Sequence, residues 1–298
     1  ALLKRIDIIW IITMRKGLFL IGFVLFLFSC KQPLIDSSSS YIYLSHTRIK
    51  TKDSVYHKVY DIDFSRYDMT LLGGDLSVNS FSGQTITPHL DRIFDFKNPT
   101  TLWSVGNHDT TSDERFYDTT GKKKYHAYQK DDVTFITLKS QDSLSSIVGK
   151  QKEFLFSVLD TMQTRSVLLM SHKLIFMNDH PVLDTMIPKV CNANKGDCYY
   201  CHNDNNFYGE IYPKLLEVKN KGIQVLWVGG DLGYKTSEFE YEDDQGIVFL
   251  GNGFWYPKDW NKVLLFSKEK ESELTYTFVP IDSLLSNQAK EIIMPLSK

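Results

Sequence analysis

The sequence predicts an α/β domain with mixed sheets, and two observations predict it. From Tyr41 onward, short apolar runs alternate with amphipathic helical stretches, and after Gln224 the chain becomes a succession of strands. The chain has 298 residues, 42% hydrophobic and 23% charged, which is enough apolar material for a sizeable core. Its length fits one large domain or two small ones. No convincing linker follows residue 41, so one catalytic-type domain is expected over 41–281, with an insert at 185–208 and a tail at 282–298.

Taken in order, the expected strands are Tyr41–Ser45, Met69–Gly73, Thr101–Val105, Val133–Leu138, Ser166–Met170 and Gln224–Val228, followed by Ile247–Leu250, Val263–Phe266 and Leu274–Phe278. Each is a short apolar run rich in β-branched and aromatic residues. A helix is expected over Gly149–Met162, where Phe154, Leu155, Val158, Leu159 and Met162 recur at helical spacing on one face. A second runs from about Tyr212 to Lys219, with Pro213 tolerated in its first turn.

The start of the chain is set apart from the fold. Met14-Arg15-Lys16 precedes an uncharged apolar run, Leu18 to Phe28, and the pair reads as a secretory signal with residues 1–13 upstream of it. The run is shorter than the ~20 residues a spanning helix needs. It ends in Leu27-Phe28-Ser29-Cys30, which resembles the lipobox of bacterial lipoproteins, so acylation of Cys30, export and a membrane anchor facing the periplasm or cell surface are expected. Residues 31–40, with four serines, read as a tether. The net charge is −2, without the basic excess of a nucleic-acid binder.

Four apolar runs end in a group able to bind metal. MTLLGGD ends in Asp75, TLWSVGNHD carries Asn107 and His108, SVLLMSH ends in His172 and QVLWVGGD ends in Asp231. Ligand sites in α/β sheets gather at the carboxyl ends of strands, so residues distant in sequence can converge there. Carboxylate, amide oxygen and imidazole together suit Zn, Mn or Fe.

Over residues 41 to 255 this order resembles the calcineurin-like metallophosphoesterase superfamily, whose ordered motifs are roughly D-x-H, G-D, G-N-H-[DE], [GS]-H and G-H-x-H. Gly74-Asp75, Gly106-Asn107-His108-Asp109 and Ser171-His172 match the second, third and fourth. The resemblance implies a four-layer fold, two mixed β-sheets packed as a sandwich and flanked by helices, and hydrolysis of a phosphomonoester or phosphodiester. It also implies one metal on Asp75, Asn107, His172 and Asp231, and His108 as general acid. Asp109 could orient His108, or cap a helix or turn.

The first and fifth motifs depart from the pattern. His46 stands where the family has Asp, Arg48 where it has His, and Asp231 and Gly233 where it has two histidines. Those changes dismantle the second metal's ligand set, leaving Asp75 and His46. Arg48, always charged, would repel a second cation and could clamp phosphoryl oxygens in its place. Two functions therefore compete: an exported one-metal phosphohydrolase acting on a small or phosphorylated substrate, and an inactive binding module on the same fold.

Cys191, Cys198 and Cys201 lie in the insert, which ends in Cys-x-x-Cys-His. One disulfide is the favoured fate outside the cytoplasm. Zinc on the three thiolates and His202 is a further option. Haem attachment is disfavoured, because the chain lacks the all-helical pattern of a small cytochrome. Tyr199, Tyr200, His202, Asn205, Asn206, Phe207 and Tyr208 are expected to approach the site mouth, as is the stretch Gly251 to Tyr256.

Overall fold

The computed structural model describes residues 38–49, 52–190, 192 and 203–293. The expected signal segment, Cys30, most of the tether and the three insert cysteines lie outside the described residues, as do Tyr199, Tyr200 and His202.

Two sheets form the centre. In the first, β1 (Ser39–Leu44) lies parallel to β4 (Met69–Leu72), which lies parallel to β5 (Thr101–Trp103). On its other side β1 pairs antiparallel with β12 (Lys262–Lys268), and β12 with β13 (Leu274–Pro280). The second sheet runs in the order β10 (Glu238–Glu242), β11 (Val248–Asn252), β9 (Gln224–Gly229), β8 (Ser166–Ser171), β7 (Val133–Thr137), β6 (His126–Lys130). Its middle pairings are parallel and both outer ones antiparallel. A small antiparallel pair, β2 (Arg48–Ile49) and β3 (Lys52–Val55), follows β1.

Side chains alternate across each strand, so one run of sequence feeds two cores. Tyr41, Tyr43, Met69 and Leu71 of the first sheet meet Phe135, Leu168, Met170, Leu226, Val228 and Leu250 of the second in one buried cluster. The intervening residues face outward. Ile42, Leu44, Leu72 and Trp103 pack against α1 (Ile86–Phe94), α2 (Asp113–Thr120) and α6 (Ile281–Ile293) through Leu90, Phe94, Phe116, Ile281 and Leu284. On the far side Val167, Leu169, Val225, Trp227 and Phe249 pack against α3 (Gly149–Thr161), α4 (Leu183–Val190) and α5 (Tyr212–Asn220). Three apolar interfaces make four layers, α/β/β/α, as the motif resemblance implied. Burying both faces is why these strands read as unbroken apolar runs.

The elements not anticipated lie where this signal is weak. β10 is Glu-Phe-Glu-Tyr-Glu and β6 is His-Ala-Tyr-Gln-Lys; both are outer strands of their sheet. The segment expected as a tail from 282 instead forms α6, held to the domain by Ile281 and Leu284.

The sandwich brings the carboxyl ends of both sheets together. Ser45 Oγ, just past β1, donates to Gly74 O at 3.1 Å and to Gly230 O at 2.7 Å, joining the loops after β4 and β9. Ser104 Oγ, just past β5, donates to Leu138 O beyond β7 at 2.8 Å.

Candidate active site

Two glycine loops pressed together build the floor. Gly74 has φ +94°, and a Cβ there would come within 2.6 Å of Gly106 N and 2.7 Å of His172 Nδ1. A Cβ on Gly106 would lie 2.1 Å from Asp75 Oδ1. Only glycine at both places lets the strand ends approach this closely. Asp75 and His46 themselves take left-handed backbone, φ +54° and +52°.

Asp75 is the hub, with 1% of its surface exposed. Its Oδ1 accepts the His108 amide at 2.9 Å and lies 3.5 Å from His172 Nε2. Its Oδ2 lies 3.4 Å from Arg48 Nε, 3.8 Å from His46 Nε2 and 3.9 Å from His108 Nε2. Asp231 Oδ1 lies 3.9 Å from His172 Nε2.

The hydrogen bonds fix two histidine tautomers. His172 Nδ1 is 2.8 Å from Gly73 O, so it carries a proton, and in the neutral ring Nε2 presents a lone pair. That Nε2 is buried and has no hydrogen-bond partner among the described residues. Burial works to lower the His172 pKa, but the Asp75 and Asp231 carboxylates outweigh it and the net shift is upward. His46 Nδ1 donates to Phe254 O at 2.9 Å, and its Nε2 accepts from Arg48 Nε at 3.1 Å. Burial and the Arg48 charge push His46 down to about 3, so it is neutral. Its ring stacks on Trp255 at 5.4 Å.

Two unlike half-sites result. In one, an orphaned imidazole nitrogen faces two carboxylates. Ligands ~2.1 Å from a common ion stand ~3.0 to ~4.2 Å apart, and separations of 3.5 and 3.9 Å fall inside that span. The chemistry of this donor set fits one divalent cation. In the other half-site the guanidinium of Arg48 bridges His46 and Asp75, and a second cation does not fit there. Gly233 cannot supply the missing histidine. Its φ is +126°, and a Cβ would sit 2.2 Å from Phe254 O. Among the described residues, no three of His, Cys, Asp or Glu are placed to hold a metal ion as they stand.

Asn192 explains part of that openness. Its Nδ2 donates to Asp231 Oδ1 at 2.7 Å and approaches His46 Nε2 at 2.8 Å, while its Oδ1 accepts the Tyr234 amide at 3.0 Å. The residue comes from the cysteine-bearing insert, and no spacing signal in the sequence singles it out. Asn107 stands exposed at the lip, its carbonyl accepting from Thr110 Oγ at 2.9 Å.

Of the two roles open to Asp109, capping a turn fits the contacts and orienting His108 does not. His108 Nδ1 instead donates to Val78 O at 2.7 Å. Asp109 Oδ2 accepts the amides of Asp75 and Gly106 at 2.7 and 2.8 Å and the Trp103 indole at 3.3 Å. Its Oδ1 takes the Leu76 amide at 3.3 Å and the Ser80 hydroxyl. Burial, then Asp75, raises its pKa. It is the tie between the two glycine loops. The insert residues Asn205 to Tyr208 are likewise structural. Asn205 and Tyr208 bond the carbonyls of Ile175 and Phe176, Asn206 bonds Ile147, and Phe207 is fully buried. Their polar groups are spent on loop backbone, which removes them from the mouth.

No protein-family model matches the sequence, and no curated protein matches it. Solved structures do. A dimetal phosphatase from Danio rerio superposes with a TM-score of 0.51 at 12% identity, over 82% of this chain and 96% of that one. A 5'-nucleotidase precursor from Thermus thermophilus gives 0.40 at 12% identity, over 86% and 59%. An NAD nucleotidase from Haemophilus influenzae gives 0.38 at 10% identity, over 80% and 49%. The chain has the calcineurin-like metallophosphoesterase fold.

Proposed function

We propose that the chain is a phosphohydrolase that works with one divalent transition metal (Mn, Zn or Fe) and with Arg48 in the place of a second. The observation that carries this reading is the position of Arg48. Its Nε joins His46 and Asp75, and its two terminal nitrogens bond none of the described residues. A guanidinium anchored at one edge with its fork unspent can receive two phosphoryl oxygens. When bound, a metal on Asp75, His172, Asp231 and Asn107 supplies charge that acidifies water and offsets the phosphoryl charge. His108 is partly exposed, with its Nδ1 proton held on Val78, so in the imidazolium form Nε2 is the end that can protonate a leaving oxygen. Asn192 has to yield Asp231 for that ligand set to close.

The test is metal content per chain, then hydrolysis of aryl phosphates with added Mn or Zn. Arg48→Ala should weaken phosphate binding by ~1.5–3 kcal/mol, or ~10- to 150-fold, with the metal retained. Unchanged phosphate affinity and turnover would refute the clamp. Stoichiometric metal with no turnover on any phosphoester would return the chain to the inactive binding module.

We also propose export with a lipid anchor on Cys30, which rests on the apolar run that precedes it. Among the described residues no helix is long and apolar enough to cross a membrane. Cys30→Ala should move the protein from the membrane fraction to the soluble one. Continued membrane association of that variant counts against acylation.

A further inference from the structure

A groove of about 520 Å³ is lined by Lys123, Lys124, Lys139, Lys150, Tyr125 and Gln151 among others. We propose that it is a subsite for a second anionic group, phosphate or carboxylate, on the leaving-group side of the substrate. This rests on the phosphohydrolase reading above.

Charge is the first argument. Lys124 pairs with Asp113 at 2.9 Å and Lys139 with Asp142 at 2.5 Å. Lys123 and Lys150 have no carboxylate partner among the described residues. The chain as a whole carries −2, so this local excess of positive charge is not its average surface. The groove between α1 and α2, about 400 Å³, makes the contrast. There Lys97 and Arg115 face Asp91 and Asp118, and the charges balance.

The second argument is that the wall is built. Ser143, Leu144 and Ser145 all take left-handed backbone, φ 50°, 55° and 80°, with no glycine among them. Such a run persists only where its surroundings impose it. Here Lys173 Nζ donates to Ser145 Oγ at 3.1 Å, and Asn206 clasps Ile147 N and O at 2.9 and 2.7 Å. Gln151 exchanges two hydrogen bonds with the Lys139 backbone, 2.8 and 3.0 Å. Leu144, 70% exposed, is displayed on the rim by this strained turn.

The third argument is adjacency. Lys124 is buried and donates to Thr111 O, three residues beyond His108. Three residues span at most ~11 Å, which bounds the backbone separation of His108 and Thr111, the residue that Lys124 of the wall holds. Lys173, which braces the turn, directly follows His172. The substrate this implies carries its second anionic group apart from the scissile phosphate that meets Arg48.

The test uses Lys123→Glu with Lys150→Glu, both exposed and outside the core. Binding of inorganic triphosphate and of citrate is measured by calorimetry in wild type, in this double variant and in Arg48→Ala. The expected result is about tenfold or greater weakening in the double variant, with binding persisting in Arg48→Ala. Preference for triphosphate over citrate, or the reverse, assigns phosphate or carboxylate. For turnover, the ratio of KM for a bis-anionic phosphoester to KM for an aryl phosphate should rise by a similar factor. Equal binding of both anions by wild type and double variant overturns the subsite. So does loss of all anion binding in Arg48→Ala alone. Because calorimetry needs no turnover, an inactive protein that still binds triphosphate in the groove sinks the phosphohydrolase reading and leaves the subsite standing.

Discussion

Asp75→Asn should strip the protein of tightly held metal and reduce turnover on aryl phosphates by more than ~100-fold. Changing a residue that merely supports a metal ligand costs ~10- to 100-fold, and the proposed function makes Asp75 a ligand itself. The side chain is 1% exposed and faces His172 Nε2, Arg48 Nε and the His108 amide at 3.5, 3.4 and 2.9 Å. An amide keeps the shape but removes the charge, and its NH₂ must face either the Arg48 Nε–H or the His108 amide, both of which need an acceptor. The Arg48 guanidinium would lose its only carboxylate partner among the described residues. The measurements are metal per chain by elemental analysis, turnover, and melting temperature as the control for folding. A folded Asp75→Asn protein that retains stoichiometric metal would falsify the ligand assignment.

The parts of this arrangement that could be read from sequence are those fixed by strand ends. Asp75, His172 and Asp231 each terminate an apolar run, and runs buried on both faces are conspicuous. The resemblance to the family's first motif was enough to place Arg48 beside Asp75. What lay outside that logic is set by backbone conformation and by irregular segments. Asn192 arrives from the insert with no periodic signal to announce it. Gly233 reads in sequence as a histidine gone missing, yet its φ of +126° and the carbonyl of Phe254 at 2.2 Å from a Cβ make it a position for glycine alone. The outer strands β6 and β10 bury one face or less, and their polar residues hide the period. For Asp109 sequence left orienting His108 and capping a turn both open, and the left-handed turn at Asp75 with the close approach of Gly106 decides for capping by bringing backbone amides onto its carboxylate.

Asp109 therefore gives the second large effect, on stability more than on chemistry. Its carboxylate collects five donors: the amides of Asp75, Leu76 and Gly106, the Trp103 indole and the Ser80 hydroxyl. Asp109→Ala leaves them buried and unpaired, at ~1–3 kcal/mol each before relaxation. Even with most of that relieved by water entering the gap, a loss of about 4 kcal/mol is expected, a large part of the ~5–15 kcal/mol that holds a typical domain folded. Melting should fall by roughly 8–16 °C, at ~2–4 °C per kcal/mol for a domain of this size class. Asp109→Asn keeps one acceptor oxygen but aims an NH₂ at the remaining donors, so it should melt between the alanine variant and wild type. A carboxylate whose task was to orient His108 predicts the opposite pattern: near-normal melting with a collapsed kcat. Finding Asp109→Ala within ~2 °C of wild type would therefore move this residue from holding the two glycine loops together to serving the proton donor directly.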